Sequence, residues 1–164
     1  MGCDIHSQVE LYRDGAWVPF TERIFPMQMV WGGNTHSQEP FDVRNYGMFG
    51  FLANVRDYSH VPPLSDPRGL PDDANADWKS RREDGYYHSF SWFLLSELLA
   101  FDYDSTFEDL RYFDGRSGAA IHEPGSGEIV TFRKFLGDPF FRDLEIMKGL
   151  GDPTLTRVLI CFDS

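Results

Sequence analysis

The 164-residue chain is short of cysteine, short of positive charge and without a long apolar run, and each shortage narrows what it can be. Its two cysteines, Cys3 and Cys161, lie near opposite ends in apolar surroundings. They cannot frame a disulfide-stapled secreted fold, so free thiols in a reducing cytoplasm are expected. Fifteen Lys and Arg stand against 26 Asp and Glu, a net charge of -11. That balance excludes a general grip on a nucleic-acid polymer, which needs a basic stripe to release counterions. No apolar stretch approaches the roughly 18 residues of a membrane span, and no basic segment leads into an apolar run, so a soluble protein without a membrane partner is expected. Neither Gly-x-Gly-x-x-Gly nor Gly-x-x-x-x-Gly-Lys is present, which removes dinucleotide enzymes and ATPases. Cys-x-x-Cys, His-Glu-x-x-His and a nucleophile elbow are missing as well. What remains is 41% hydrophobic and 16% aromatic, the composition of a folded chain, and its length suits one domain over residues 1–164.

The most informative stretch is the opening, Met1-Gly2-Cys3-Asp4-Ile5-His6-Ser7-Gln8-Val9-Glu10. As a strand it places Asp4, His6, Gln8 and Glu10 on one face and Cys3, Ile5, Val9 and Leu11 on the other. One is a core face. The other concentrates acid, base and ligand chemistry where a wet edge strand more often carries Thr, Lys or Glu.

The remaining pattern predicts an α+β fold: a small mixed or antiparallel sheet with helices packed on it and long functional loops. Arg13-Asp14-Gly15 signals a hairpin between the first strand and Ala16–Phe20. The apolar run Arg157–Phe162 reads as a central strand, covered on both faces and lying beside the first. Helices are expected over Val43–Arg56 with Asp42 as cap, Ser89–Ala100 capped by Ser89 or Ser91, Thr131–Leu136 and Pro139–Leu150. Gly47 and Gly50 in the first of these suggest close approach of another backbone. Thr21–Phe41 and Ser59–Tyr86 lack periodicity. Their aromatic and arginine content reads as binding loops.

Several motifs occur together in order: Met-Gly-Cys-Asp-Ile-His at the start, Arg44-Asn45-Tyr46 followed by Phe49, Leu52, Val55 and Arg56, Pro67-Arg68-Gly69-Leu70-Pro71, and Tyr87-His88-Ser89 with Ser91-Trp92 and Glu97. In these the chain resembles a family of small tailed-phage proteins, over roughly its first hundred residues and the closing apolar strand. The family brings no settled activity. Similar sequences carry a second histidine two places after His88, where this chain has Phe90, which weakens a site built on a His-x-His pair. The resemblance implies a virus-encoded accessory protein in the cytoplasm of an infected bacterium, with interference in host defence as the class of role.

Three constellations could carry chemistry. Asp4, His6, Glu10 and His88 are ligand types suited to zinc, manganese or iron, with Asp4, His6 and His88 as the core set for a divalent metal; no cofactor is otherwise called for. His6 and His88 could instead act as base and acid on a phosphodiester or glycosidic bond, because an imidazole changes charge near neutrality. Finally, Arg44, Arg56 and Arg68, with Ser89 opening a helix behind His88, are groups that hold phosphates, and Trp31, Trp78, Tyr86, Tyr87 and Trp92 offer flat faces for a base. The expectation is a binding protein that captures a small phosphorylated, nucleotide-like immune signal. Its ligand set is Asp4, His6, Glu10, Arg44, Asn45, Arg56, Arg68, His88, Ser89 and Ser91. A hydrolase cleaving such a nucleotide, with catalytic His6 and His88, is the alternative, and an acidic inhibitor of a host protein is a further one. The composition is compatible with a homo-oligomer.

Overall fold

The computed structural model describes residues 2–113 and 119–164. It is an α+β protein whose contacts divide the chain into two compact units, one from residues 1–44, 67–101 and 139–164 and one from 45–66 and 102–138.

The first unit is built on an antiparallel sheet in the order β2-β1-β10-β5, formed by β1 (Asp4–Arg13), β2 (Ala16–Pro19), β5 (Tyr87–Leu94) and β10 (Thr156–Asp163). The β1–β2 hairpin turns at Asp14 and Gly15, both with positive φ (51° and 81°), the conformation that Asp-Gly favours. β10 is the apolar central strand, paired with β1 from Asp4↔Asp163 to Leu11↔Thr156. Ile5, Ser7, Val9 and Leu11 are buried on one face of β1, with Cys3 buried just before the strand, and Asp4, His6, Gln8 and Glu10 share the other face. On that second face Trp78 of α2 (Ala76–Asp84) packs with Ala74, Phe90, Leu159 and Cys161. The α5 helix (Asp138–Lys148) buries Phe140, Leu144 and Met147, a stripe of helical spacing, and with them Asp143. The segment 21–41 contains a small hairpin of β3 (Phe25–Trp31) and β4 (Asn34–Ser37).

The second unit contains α1 (Tyr46–Ala53), α4 (Phe132–Leu136) and the strand pairs β6–β9 (Thr106–Asp109, Glu128–Thr131) and β7–β8 (Arg111–Phe113, Ala119–Ile121). The α1 helix is shorter than Val43–Arg56, and its cap is Asn45, whose side chain accepts from the Met48 amide at 3.2 Å, rather than Asp42. Gly47 is needed because a Cβ would lie 2.7 Å from the Phe135 ring; the close neighbour is a side chain, not a backbone.

The stretch 89–100 is the main departure from the expected helices. It continues β5 through Leu94, and only α3 (Leu95–Ala100) is helical. β-Branched and aromatic packing on both faces of β10 outweighs the helical spacing of Trp92, Leu95 and Leu98.

Candidate functional site

β2 pairs with β1 only from Glu10 to Arg13, so the first half of β1 runs on beyond it. The segment after β4 lies there: the Ser7 hydroxyl donates to the Pro40 carbonyl, and Arg44 returns to Asp4. Between these elements and β3 opens a cleft of about 850 Å³, lined by Asp4, Ile5, His6, Met27, Gln28, Glu39, Asp42, Val43 and Arg44. Its size falls within the ordinary range for small-molecule sites.

His6 is held in place by two neighbours. Its Nε2 lies 2.8 Å from Oδ2 of Asp163, and its ring meets Tyr87 edge-on at 5.2 Å. A carboxylate only accepts, so Nε2 carries the hydrogen, while Nδ1 has no hydrogen-bond partner among the described residues. Asp163 also accepts from the Asp4 amide at 3.2 Å, which ties the ends of β1 and β10 together at the cleft.

At the mouth Arg44 donates twice to the Asp4 carboxylate, both at 2.7 Å. This hydrogen-bonded pairing holds the Asp4 carboxyl below its usual range. The two side chains are 49% and 54% exposed, so the pair is a weak one that a ligand can exchange. Glu39 and Asp42 differ from it. Burial pushes both carboxyls above the usual range; Asp42 adds to the effect on Glu39, and His6, Arg81 and the Ser7 amide oppose it. For Asp42, Asp4 adds to the effect and His6 opposes it. One cleft thus combines an Asp-held imidazole, two carboxyls biased toward the protonated form and a guanidinium whose partner is weakly held.

The other expected site residues fall elsewhere. β10 pairs Phe162 with both Ile5 and His88, and cross-strand partners share a face, so His88 lies on the face opposite His6. A β-bulge between Ile160 and Phe162, with Ser89 at φ 55°, turns it there. His88 stacks on Phe162 and contacts the Ser89 and Ser164 hydroxyls. The expected pairing of His6 with His88 in one pocket is therefore incorrect. The metal set Asp4, His6 and His88 does not converge, and among the described residues no group of three or more His, Cys, Asp or Glu is placed to hold a metal ion.

Glu10 is fully buried and paired with Arg157 at 3.1 Å; Arg157 also reaches Asp73 at 2.8 Å and lies over the Trp17 ring. Arg68 forks onto Glu97 at 2.7 and 2.8 Å, donates to the Trp92 carbonyl and stacks over Trp92. The buried Ser91 hydroxyl accepts from the Arg68 amide. These are braces between strand and loop, away from the cleft. Asn45 and Arg56 belong to the second unit, where Arg56 reaches the Tyr58 hydroxyl at 3.5 Å. Trp78 is buried in the core, and the side chain of Trp31 lies outside those described.

Glu39 and Asp42 are the charged cleft residues that sequence reasoning missed, together with Asp163, which holds His6 from behind the lining. Two carboxylates flanking Pro40-Phe41 in an aperiodic segment were the available signal for the first two. Asp163 becomes visible once β10 is paired with β1 in register. Among the described residues no helix is long and apolar enough to cross a membrane. Compared with protein-family models, curated proteins and solved structures, the chain matches none.

Proposed function

We propose that the chain is a binding protein that holds a small nucleotide-like molecule in the cleft beside the first half of β1. The observation that carries this reading is the convergence of Asp4, His6, Glu39, Asp42 and Arg44 around one cavity of ligand size. Carboxyls such as Glu39 and Asp42 pair with the amino edge of a base or with ribose hydroxyls, and in the protonated form they also donate. Arg44 suits a phosphate at the mouth, where exchanging Asp4 for the ligand costs little. Ligand contacts are thus assigned to Asp4, His6, Glu39, Asp42 and Arg44. Capture of a host immune signal by a phage accessory protein is the role suggested by the resemblance of the opening motifs.

A hydrolase is favoured by one specific feature, the Asp163–His6 pair with Nδ1 left over. Water would give its proton to Nδ1 as its oxygen attacks phosphorus, and Glu39 or Asp42 would protonate the departing oxygen. Purified protein incubated with cyclic and linear nucleotides, followed by mass spectrometry of retained and converted species, separates the two. Retention of an intact nucleotide, lost in Asp42→Asn and Arg44→Ala, is the expected result. Product exceeding the amount of protein, abolished in His6→Ala, overturns binding in favour of turnover. Neither retention nor conversion of any nucleotide rejects both.

A further inference from the structure

The wall of the cleft is held from behind. Phe41 stands between Glu39 and Asp42 at φ 63°, a left-handed conformation that strains a bulky aromatic, and it is buried. Its amide donates to Oδ2 of Asp143 at 2.7 Å, its carbonyl accepts from the Val43 amide at 2.7 Å, and its ring stacks on Phe140 at 5.1 Å. Asp143 is only 1% exposed. A carboxylate so placed is costly unless its bonds do something in return. Its neighbour Arg142 donates from Nε to Oδ1 of Asp143 at 3.1 Å and from Nη2 to the Pro26 carbonyl at 3.2 Å. Pro26 leads directly into Met27 and Gln28, the opposite wall.

Two adjacent side chains on α5 therefore hold both walls, one through the backbone at Phe41 and one through the backbone at Pro26. We infer that Asp143 and Arg142 are positioning residues: Asp143 fixes the strained turn that aims Glu39 and Asp42 into the cleft, and Arg142 ties that turn to the Met27–Gln28 wall. Burying Phe41 for packing alone requires neither the left-handed backbone nor a buried carboxylate beneath it.

The inference rests on the cleft being the binding site, yet its test needs no ligand. Burial is the largest influence raising the Glu39 carboxyl, ahead of the charges of His6, Asp42 and Arg81, so its ionisation reports how the turn buries it; Asp143→Asn removes the same charge as Asp143→Ala and controls for the coupling of Asp143 to Asp42. The full chain and its Asp143→Ala, Asp143→Asn and Arg142→Ala variants are titrated by carboxyl-detected NMR, with thermal unfolding alongside. In Asp143→Ala and Arg142→Ala the Glu39 midpoint is expected to fall toward that of an exposed carboxyl. Asn keeps an acceptor for the Phe41 amide, so Asp143→Asn should hold the wild-type midpoint. Arg142 is 39% exposed, so Arg142→Ala supplies the reading if Asp143→Ala does not fold. Lowered stability with an unmoved Glu39 midpoint in every folded variant overturns the inference and leaves Asp143 a packing residue. Nucleotide retention separates the two readings. A wild type that retains nothing while its variants shift Glu39 sinks the binding function alone, and retention unchanged in Arg142→Ala with Glu39 unmoved sinks the positioning alone.

Discussion

The two ends of β1 carry the same chemical pair in opposite settings. At one end Asp4 meets Arg44 with both side chains about half exposed; at the other Glu10 meets Arg157 with both almost completely buried. Hydrogen bonding to Arg44 lowers the Asp4 carboxyl, whereas burial raises that of Glu10 against the pull of Arg157. Among the described residues, the buried pair also leaves Oε2 of Glu10 and Nη2 of Arg157 without hydrogen-bond partners. A polar strand face is therefore not a single site. Where β2 and the Asp73 loop close over it, it becomes scaffold, and where they stop it becomes a cleft.

Breaking the buried end should have the largest effect. Glu10→Ala leaves the Arg157 guanidinium buried and is expected to cost about 3–5 kcal/mol in urea unfolding. Replacing both partners with methionine should recover most of that loss, because no buried charge is then left without its counter-ion. A loss in Glu10→Ala no larger than that of an exposed pair would remove the contrast.

Arg68 is a second scaffold cation. Its fork to Glu97 holds the Glu97 carboxyl below its usual range. Discounted for partial exposure, Arg68→Ala should cost about 1–2 kcal/mol and leave nucleotide retention unchanged. Lost retention at full stability would return Arg68 to the binding site.

The cleft carboxyls should show the reverse sign with pH. Folding raises Glu39 and Asp42, so the folded chain keeps protons that the unfolded chain releases. Their stabilising contribution is complete below the ordinary carboxylate range and is lost as pH rises through the raised values. A Glu39→Gln/Asp42→Asn chain should therefore be more stable than wild type at neutral pH, and the difference should vanish near about pH 4. Thermal unfolding across that window checks it, and a wild type that gains on the variant as pH rises contradicts it.

The smallest effect belongs to the mouth. Arg44→Ala should change stability by less than about 1 kcal/mol, while retention falls roughly tenfold or more. Equal retention by calorimetry would reassign Arg44 to the surface.

Much of the sheet could be read from the sequence because its causes are local. Alternation in β1, Asp-Gly in the turn and the apolar run of β10 each act over a few residues. The composition of the cleft could not. His88 is turned to the other face by a bulge at Ser89, and no residue pattern announces a serine at φ 55°. Glu39 and Asp42 reach the cleft through the contact of Phe41 with Asp143, 102 positions away in the chain. Arg68 carries phosphate-binding chemistry in principle and is committed to the Glu97 carboxylate in fact.

On the proposed function, the ligand lies on the His6 face at the open end of β1. Ring signals of the histidines, followed by NMR while a retained nucleotide is added, test it most directly, since His6 and His88 lie on opposite faces of one sheet. The His6 signals are predicted to shift with saturation while those of His88 stay fixed. A shift of His88 with His6 unmoved would place the ligand on the opposite face and rule the cleft out.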